Sequence, residues 1–392
     1  MSVALELPPL TAEESAHAAR LGERLRDEIS RCGGWIDFSR YMQIALYEPG
    51  LGYYSAGARK LGEAGDFITA PEVAPVFSRC LAVQCAEVLR TLGGGDLLEL
   101  GAGSGVMAAA LLEELERRDA LPRRYFILDV SADLRQRQRE ALASAVPRLL
   151  ERVEWLDRLP DALEGLVVAN EVLDALAVER FVIREGAVRA LGVAWQHGGP
   201  VWSEAPAGGR LLAAVRHLQR EVGLEWPDGY VSEVNLGLGE WLAAVAGALA
   251  RGVMLFVDYG LPRREYYSAE RSSGTLLCHC RHRFHDDPFA RPGLQDVTAW
   301  VDFTAVAEGG QASGLDLAGY TTQAHFLIGC GLGEFVADVA GLDVVSRVNL
   351  SRQAMVLTLP GEMGERFKAI ALAKGYDSPL RGFAVRDLRH TL

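Results

Sequence analysis

The 392-residue chain has no apolar run near the ~20 residues that a helix needs to cross a bilayer, so no membrane span is expected. Cysteine is sparse. The six, Cys32, Cys80, Cys85, Cys278, Cys280 and Cys330, are too scattered for a disulfide framework in a chain of this length. Positive charge is in deficit: 40 Lys and Arg against 52 Asp and Glu leave a formal net charge of −12. Nucleic acid or an anionic membrane as main partner is thereby disfavoured, since both are met by positive surface. A basic substrate is compatible with the balance. No Lys or Arg precedes Arg20, so the N-terminal stretch resembles neither a secretory signal nor an Arg-rich transit peptide, and a reducing cytoplasm is the expected compartment. Repeats and low-complexity tracts are also lacking.

What is present is a globular composition, 49% hydrophobic, long enough for two or three domains at a prior of ~150 residues each. Residues 13–32 have the spacing of an amphipathic helix, and a further helix is expected from about Pro75 to Leu92. Between them runs a Gly-punctuated stretch, "YEPGLGYYSAGARKLGEAGDFITAPEV", long for a loop and therefore a functional candidate. From Asp96 the pattern becomes short apolar runs alternating with helices. "DLLEL", "RYFILDV", "RVEWL" and "GLVVAN" read as strands, and 104–117 and 131–146 as helices. "GVMLFVDYG" and "FKAIALAKG" read as late strands. Such alternation predicts an α/β fold with a mostly parallel sheet. We divide the chain into an N-terminal helical cap, 1–95, and a core, 96–392, with insertions near 180–235 and 261–313. The second insertion is expected to cover the sheet edge.

Three glycines, Gly101, Gly103 and Gly105, follow the first core strand, where open α/β sheets bind ligands. The spacing is G-x-G-x-G. The dinucleotide fingerprint would require a further glycine at 106, which is Val106. Glu99, two residues before the turn, would repel a pyrophosphate and attract a sulfonium. Asp129, ending the second strand, is placed to accept from ribose hydroxyls. Adenosine with a cation in place of phosphate describes S-adenosylmethionine. Val130, and Asp157 after "RVEWL", are assigned to the same cofactor site.

"VVANEVLDALAVERF" sets Asn170, Glu171 and Asp174 at a strand end and the expected first turn of a helix, where positions three apart share a face. The plain reading is helix capping. The functional reading is a carboxylate clamp that meets a guanidinium with two hydrogen bonds and orients its nitrogen for methyl transfer. "CHCRHRFHDDP", Cys278 to Asp287, has zinc-type residues but not zinc-type spacing, and no metal is assigned.

Six segments, "GDFITAPEV", "LLELGAGSG", "VVANEVLDAL", "LFVDYG", "DVTAWVDF" and "MGERFKAIAL", together resemble the MidA family, which includes the mitochondrial complex I assembly arginine methyltransferase. The resemblance spans Phe38 to Leu372. It implies a Rossmann-like class I methyltransferase fold, S-adenosyl-L-methionine as cofactor, and a protein arginine as acceptor, such as one on a quinone-site subunit of NADH dehydrogenase. By the same resemblance Gly101, Gly103, Gly105 and Asp129 match the cofactor site, and Asn170, Glu171 and Asp174 the family's "NE-x-x-D" segment. "GDFITAPE" would fold over the cofactor, with Asp66 or Thr69 in contact with it. A homodimer is compatible with the sequence. Two other readings use the same residues: a small-molecule O- or N-methyltransferase, and a cofactor-binding assembly chaperone with little turnover.

Overall fold

A computed structural model of the chain describes residues 7–56, 69–338, 341 and 343–392. Two compact units emerge, each assembled from three stretches of chain. The smaller takes 1–67, 174–238 and 263–300; the larger takes 68–173, 239–262 and 301–392.

The larger unit is built on β1 (Asp96–Leu100), β2 (Tyr125–Leu128), β3 (Val153–Leu156), β4 (Leu163–Asn170), β5 (Leu249–Leu261), β6 (Asp316–Thr322) and β7 (Phe367–Lys374). Their order in the sheet is 3-2-1-4-5-7-6. Neighbours from β3 to β5 run parallel, and β7 runs antiparallel to both β5 and β6. The apolar runs are nearly continuous because both faces are covered: Leu97, Leu98, Leu166 and Val167 are fully buried. The chain moves outward from β1 to β3 and then returns to β4 on the other side. The strand order thus reverses between β1 and β4, the place at which open α/β sheets bind ligands outside the carboxyl ends of the strands.

Three helices accompany these strands. Helix α1 (Pro75–Leu92) starts on a proline and stops at Gly93, whose φ of 77° is the left-handed conformation of a helix-terminating glycine. Helix α2 (Val106–Arg117) begins directly after the glycine turn. Helix α3 (Ala132–Ala145) is capped by Ser131, whose hydroxyl accepts from the Leu134 N–H. Val76, Phe77, Leu81 and Val88 of α1 share one core with Leu111 and Leu115 of α2 and with Leu97, Tyr125 and Val168 of the sheet.

That packing moves the boundary expected at residue 95. Helix α1 belongs to the parallel-sheet unit, and the N-terminal segment of the smaller unit ends at 67. The second insertion likewise ends at Trp300, since Val301–Asp302 pairs with the end of β5 and the helix Phe303–Ala312 belongs to the larger unit.

The smaller unit is not a helical cap alone. Its N-terminal helix, Ala12–Arg31, carries a reciprocal capping box between Thr11 and Glu14. Its Leu21 shares one core with Phe38 and Tyr41 of the N-terminal segment and with Val193, Leu276 and Val297 of the two insertions. The first insertion forms an antiparallel meander of Glu179–Arg184, Ala187–Gln196 and Gly199–Pro206, flanked by Val231–Val234 and Trp35–Ile36. The Cys/His-rich stretch is a hairpin, Leu277–Cys280 against Arg283–His285. Its two-residue turn, Arg281 and His282, has both φ values positive, at 50° and 59°. Strand alternation buries Cys278 and Cys280 on one face and turns His279 to the other.

Candidate functional site: the carboxyl rim of the parallel sheet

The glycine turn connects β1 to α2. Gly101, Gly103 and Gly105 have φ values of 65°, 54° and 84°, a region that residues other than glycine adopt at a cost. Space is short as well. A Cβ on Gly101 would lie 2.9 Å from Cγ2 of Val172, and one on Gly105 would lie 3.0 Å from the Cα of Gln138. The turn is thus a bare-backbone cradle beside the loop that follows β4, and it opens α2, whose N-terminus favours ligand groups that accept hydrogen bonds.

Asp129 sits directly after β2 and is buried. Its Oδ1 accepts from the Ser131 N–H at 3.0 Å and its Oδ2 from Gln138 Nε2 at 2.9 Å. Val130 beside it is 73% exposed, a large apolar side chain next to a fixed carboxylate. An apolar surface adjoining a rigid hydroxyl acceptor fits an adenine attached to a ribose. Asp157 does not turn to this group: its side chain is exposed and pairs with Arg135 at 2.5 Å. Arg135 also donates to the carbonyls of Asp129 and Leu156.

Glu99 departs from its expected place. Its side chain is fully buried, and its Oε2 accepts from the Tyr125 hydroxyl at 2.5 Å. Burial raises its pKa to about 7, against the lowering effect of the tyrosine bond. The cause is its position in a central strand covered on both faces: Glu99 shares a face with Leu97, near Cys85 of α1. It lies beneath the glycine turn and makes no direct wall for a ligand.

After β4 the chain does not enter a helix. Residues 171–178 are turns and bends, so the expected helical face shared by Glu171 and Asp174 is not formed. The reason lies in the backbone. Glu171 has φ 53°, a left-handed conformation that is costly outside glycine and concentrates at functional sites. Its N–H donates to the Val257 carbonyl at 2.9 Å. Its Oε1 accepts from the Ala70 N–H at 3.2 Å and from Asn170 Nδ2 at 2.9 Å. Asn170 is itself buried, and its Oδ1 accepts no hydrogen bond among the described residues. Asp174 opens the stretch that belongs to the smaller unit. There it is buried, and its carbonyl accepts from the Ala299 N–H; burial foremost, then Asp296 and more weakly Asp174, raises the Tyr54 phenol.

Thr69 precedes the short helix Ala70–Val73, and its side chain makes no capping bond. The Ala70 N–H on Glu171 brings the end of "GDFITAPE" to the loop after β4. Asp66 lies outside the described residues.

Two residues at this rim went unread in the sequence. Asp258, at the carboxyl end of β5, is buried and accepts from three backbone N–H groups: Val172 at 3.1 Å, Leu173 at 2.9 Å and Tyr259 at 2.8 Å. It fixes the turn that presents Glu171. Gln138 of α3 is fully buried between the glycine turn and Asp129. The signal for Asp258 was its place at a strand end within "LFVDYG"; for Gln138 there was none beyond a polar residue on a helix.

A glycine cradle, a fixed carboxylate after the second strand and a sheet in the order 3-2-1-4-5-7-6 define an S-adenosylmethionine-dependent methyltransferase of the Rossmann-like class. Residues 80–321 match the family described as "Putative S-adenosyl-L-methionine-dependent methyltransferase", and the chain belongs to that family. A Burkholderia thailandensis protein solved bound to S-adenosyl-homocysteine is 42% identical, with a TM-score of 0.94, over 99% of this chain and 100% of that one. The mitochondrial protein arginine methyltransferase NDUFAF7 homolog of Drosophila melanogaster is 27% identical over 92% of this chain and 86% of its own length. The Homo sapiens protein arginine methyltransferase NDUFAF7 is also 27% identical, over 86% of this chain and 80% of its own. The resemblance to the MidA family, the fold class and the cofactor expected from the sequence are therefore borne out.

Proposed function

We propose that the chain transfers a methyl group from S-adenosyl-L-methionine to an arginine of a protein substrate, with a subunit of respiratory NADH dehydrogenase as the candidate acceptor and the cytoplasm as the compartment. Support for a protein arginine comes from the relatives' names and from the chemistry of the loop after β4; the respiratory subunit follows from the family resemblance in the sequence. The observation that carries the reading is Glu171: a carboxylate on a left-handed residue, with one oxygen already held by the Ala70 N–H and Asn170 Nδ2.

When bound, the cofactor supplies an electrophilic methyl group on a positively charged sulfur. The chain's own residues do the rest. The glycine turn lets the ligand approach the backbone, and Asp129 accepts from the ribose hydroxyls. Glu171 would accept N–H bonds from the planar guanidinium and so orient one nitrogen for transfer. Such orientation can be worth on the order of 7–11 kcal/mol of barrier at its upper limit. Arginine stays protonated at neutral pH, so the carboxylate would stabilise positive charge as that nitrogen gains the methyl group, and the proton displaced from it would pass to solvent, leaving a methylated guanidinium of the same charge.

The test is mass spectrometry of host respiratory subunits with and without this chain. A dimethyl increment on one arginine peptide that disappears with the chain supports the reading. An unchanged arginine methylation pattern, with methyl transfer to small molecules, contradicts it.

A further inference from the structure

The amide of Gln138 is saturated in a way that joins two loops and a strand of the sheet. Its Nε2 donates to the Gly103 carbonyl at 3.0 Å and to Asp129 Oδ2 at 2.9 Å. Its Oε1 accepts from Trp155 Nε1 at 3.0 Å. Gly103 lies in the turn after β1, Asp129 directly after β2, and Trp155 in β3. The side chain is fully buried, so no competing water bond loosens it. Because both amide hydrogens and the oxygen are used, the amide has only one orientation that satisfies every partner. Its own backbone abuts the same turn, at the position where a Cβ on Gly105 would meet it.

We propose that Gln138 is a positioning residue for cofactor recognition: its amide locks the glycine turn to the Asp129 carboxylate, so that turn and carboxylate meet the adenosyl ribose in fixed register. The inference rests on Asp129 being the ribose acceptor. A buried carboxylate with one oxygen held by Ser131 N–H and the other by Gln138 is a pre-organised acceptor, and pre-organisation is what a hydroxyl-reading site needs in order to discriminate. Loss of the amide removes its bond to Asp129 Oδ2, detaches it from the Gly103 carbonyl and leaves the Trp155 N–H without this acceptor. Cofactor affinity then falls, and with it the preference for a ribose over a deoxyribose.

The experiment is titration of S-adenosylhomocysteine and of its 2′-deoxy analogue into the full chain and its Q138L, Q138E and D129A variants. In Q138L the Kd for S-adenosylhomocysteine rises about tenfold, and the ratio between the two ligands falls toward one. Q138E, which is nearly isosteric, sets an oxygen against Asp129 and the Gly103 carbonyl and weakens binding further. It carries the test if Q138L does not fold by circular dichroism. In both, KM for the methyl donor rises more than kcat falls, a split that general loss of folded protein does not produce. A wild-type ligand ratio in folded Q138L or Q138E, with the ratio collapsed in D129A, overturns the role of Gln138. A wild-type ratio in D129A overturns the ribose assignment beneath it.

Discussion

At the scale of single residues, the loop after β4 concentrates the unusual features. A glutamate held at φ 53° persists only where surrounding bonds over-determine it, and here the Val257 carbonyl and the Asp258 carboxylate do so. Glu171→Gln keeps the shape and one acceptor oxygen but removes the charge. We expect it to bind S-adenosylhomocysteine as the parent does and to lose about a hundredfold or more in kcat. A titration beside a turnover assay checks both halves. Gly101→Val acts on the other step: the branched side chain would meet Val172 and strain a φ of 65°, so calorimetric binding of the cofactor is expected to vanish. Glu99 gives a pH dependence. Its carboxyl, raised to about 7 by burial, ionises as pH climbs from 6 to 8. The ionised form favours a positively charged ligand, so S-adenosylmethionine affinity should rise over that range, by up to about tenfold for one pKa unit of coupling. The uncharged sulfur of S-adenosylhomocysteine should show no such rise from this group. The same raised pKa stabilises the free protein fully below 4.5, and that contribution is lost as pH passes through about 7. Glu99→Gln should flatten the pH profile of S-adenosylmethionine binding; an unchanged profile would remove Glu99 from the electrostatics of the site.

At the scale of elements, the ends of β4 and β5 act together. Asp258 accepts the N–H groups of Val172 and Leu173 and so sets where Glu171 stands. Asp258→Asn keeps one acceptor but turns a donor toward an N–H group. We expect kcat to drop about tenfold while cofactor affinity stays within about threefold, and the melting temperature to fall because a buried N–H loses its partner. Equal loss of affinity and turnover would mean that Asp258 supports the whole rim, not the Glu171 turn. The parallel strands were legible because each is a short apolar run bounded by polar or glycine positions. "DLLEL", "GLVVAN" and "GVMLFVDYG" fall on β1, β4 and β5. The short strand Val231–Val234 and the strand β6 carry polar residues in sequence and were not legible. The helix expected after Asn170 failed for a local reason: "EVLDAL" has helical composition, but backbone bonds from β5 hold Glu171 out of the helical region. Tertiary structure overrides propensity there. Gln138 and Asp258 were hidden because their work is done on backbone groups brought together by the sheet, which no spacing along the chain displays.

At the scale of the whole molecule, the chain interleaves two units: the smaller is drawn from the N-terminal segment and both insertions, and the larger carries the methyltransferase sheet. The glycine turn, the Asp129 carboxylate and the Glu171 turn all lie in the larger unit, at the carboxyl ends of β1, β2 and β4. That arrangement puts the glycine turn and the two carboxylates on one rim, as the proposed function requires. The net charge of −12 is compatible with a basic acceptor peptide. The most direct measurement follows transfer of a labelled methyl group from S-adenosyl-L-methionine to respiratory subunit preparations, using the parent chain and Glu171→Gln at saturating cofactor. Label on a single arginine peptide with the parent, lost in the variant despite unchanged S-adenosylhomocysteine binding, is the expected result. Equal labelling of arginine by both chains would contradict the assignment of Glu171, and label found off arginine would contradict the acceptor.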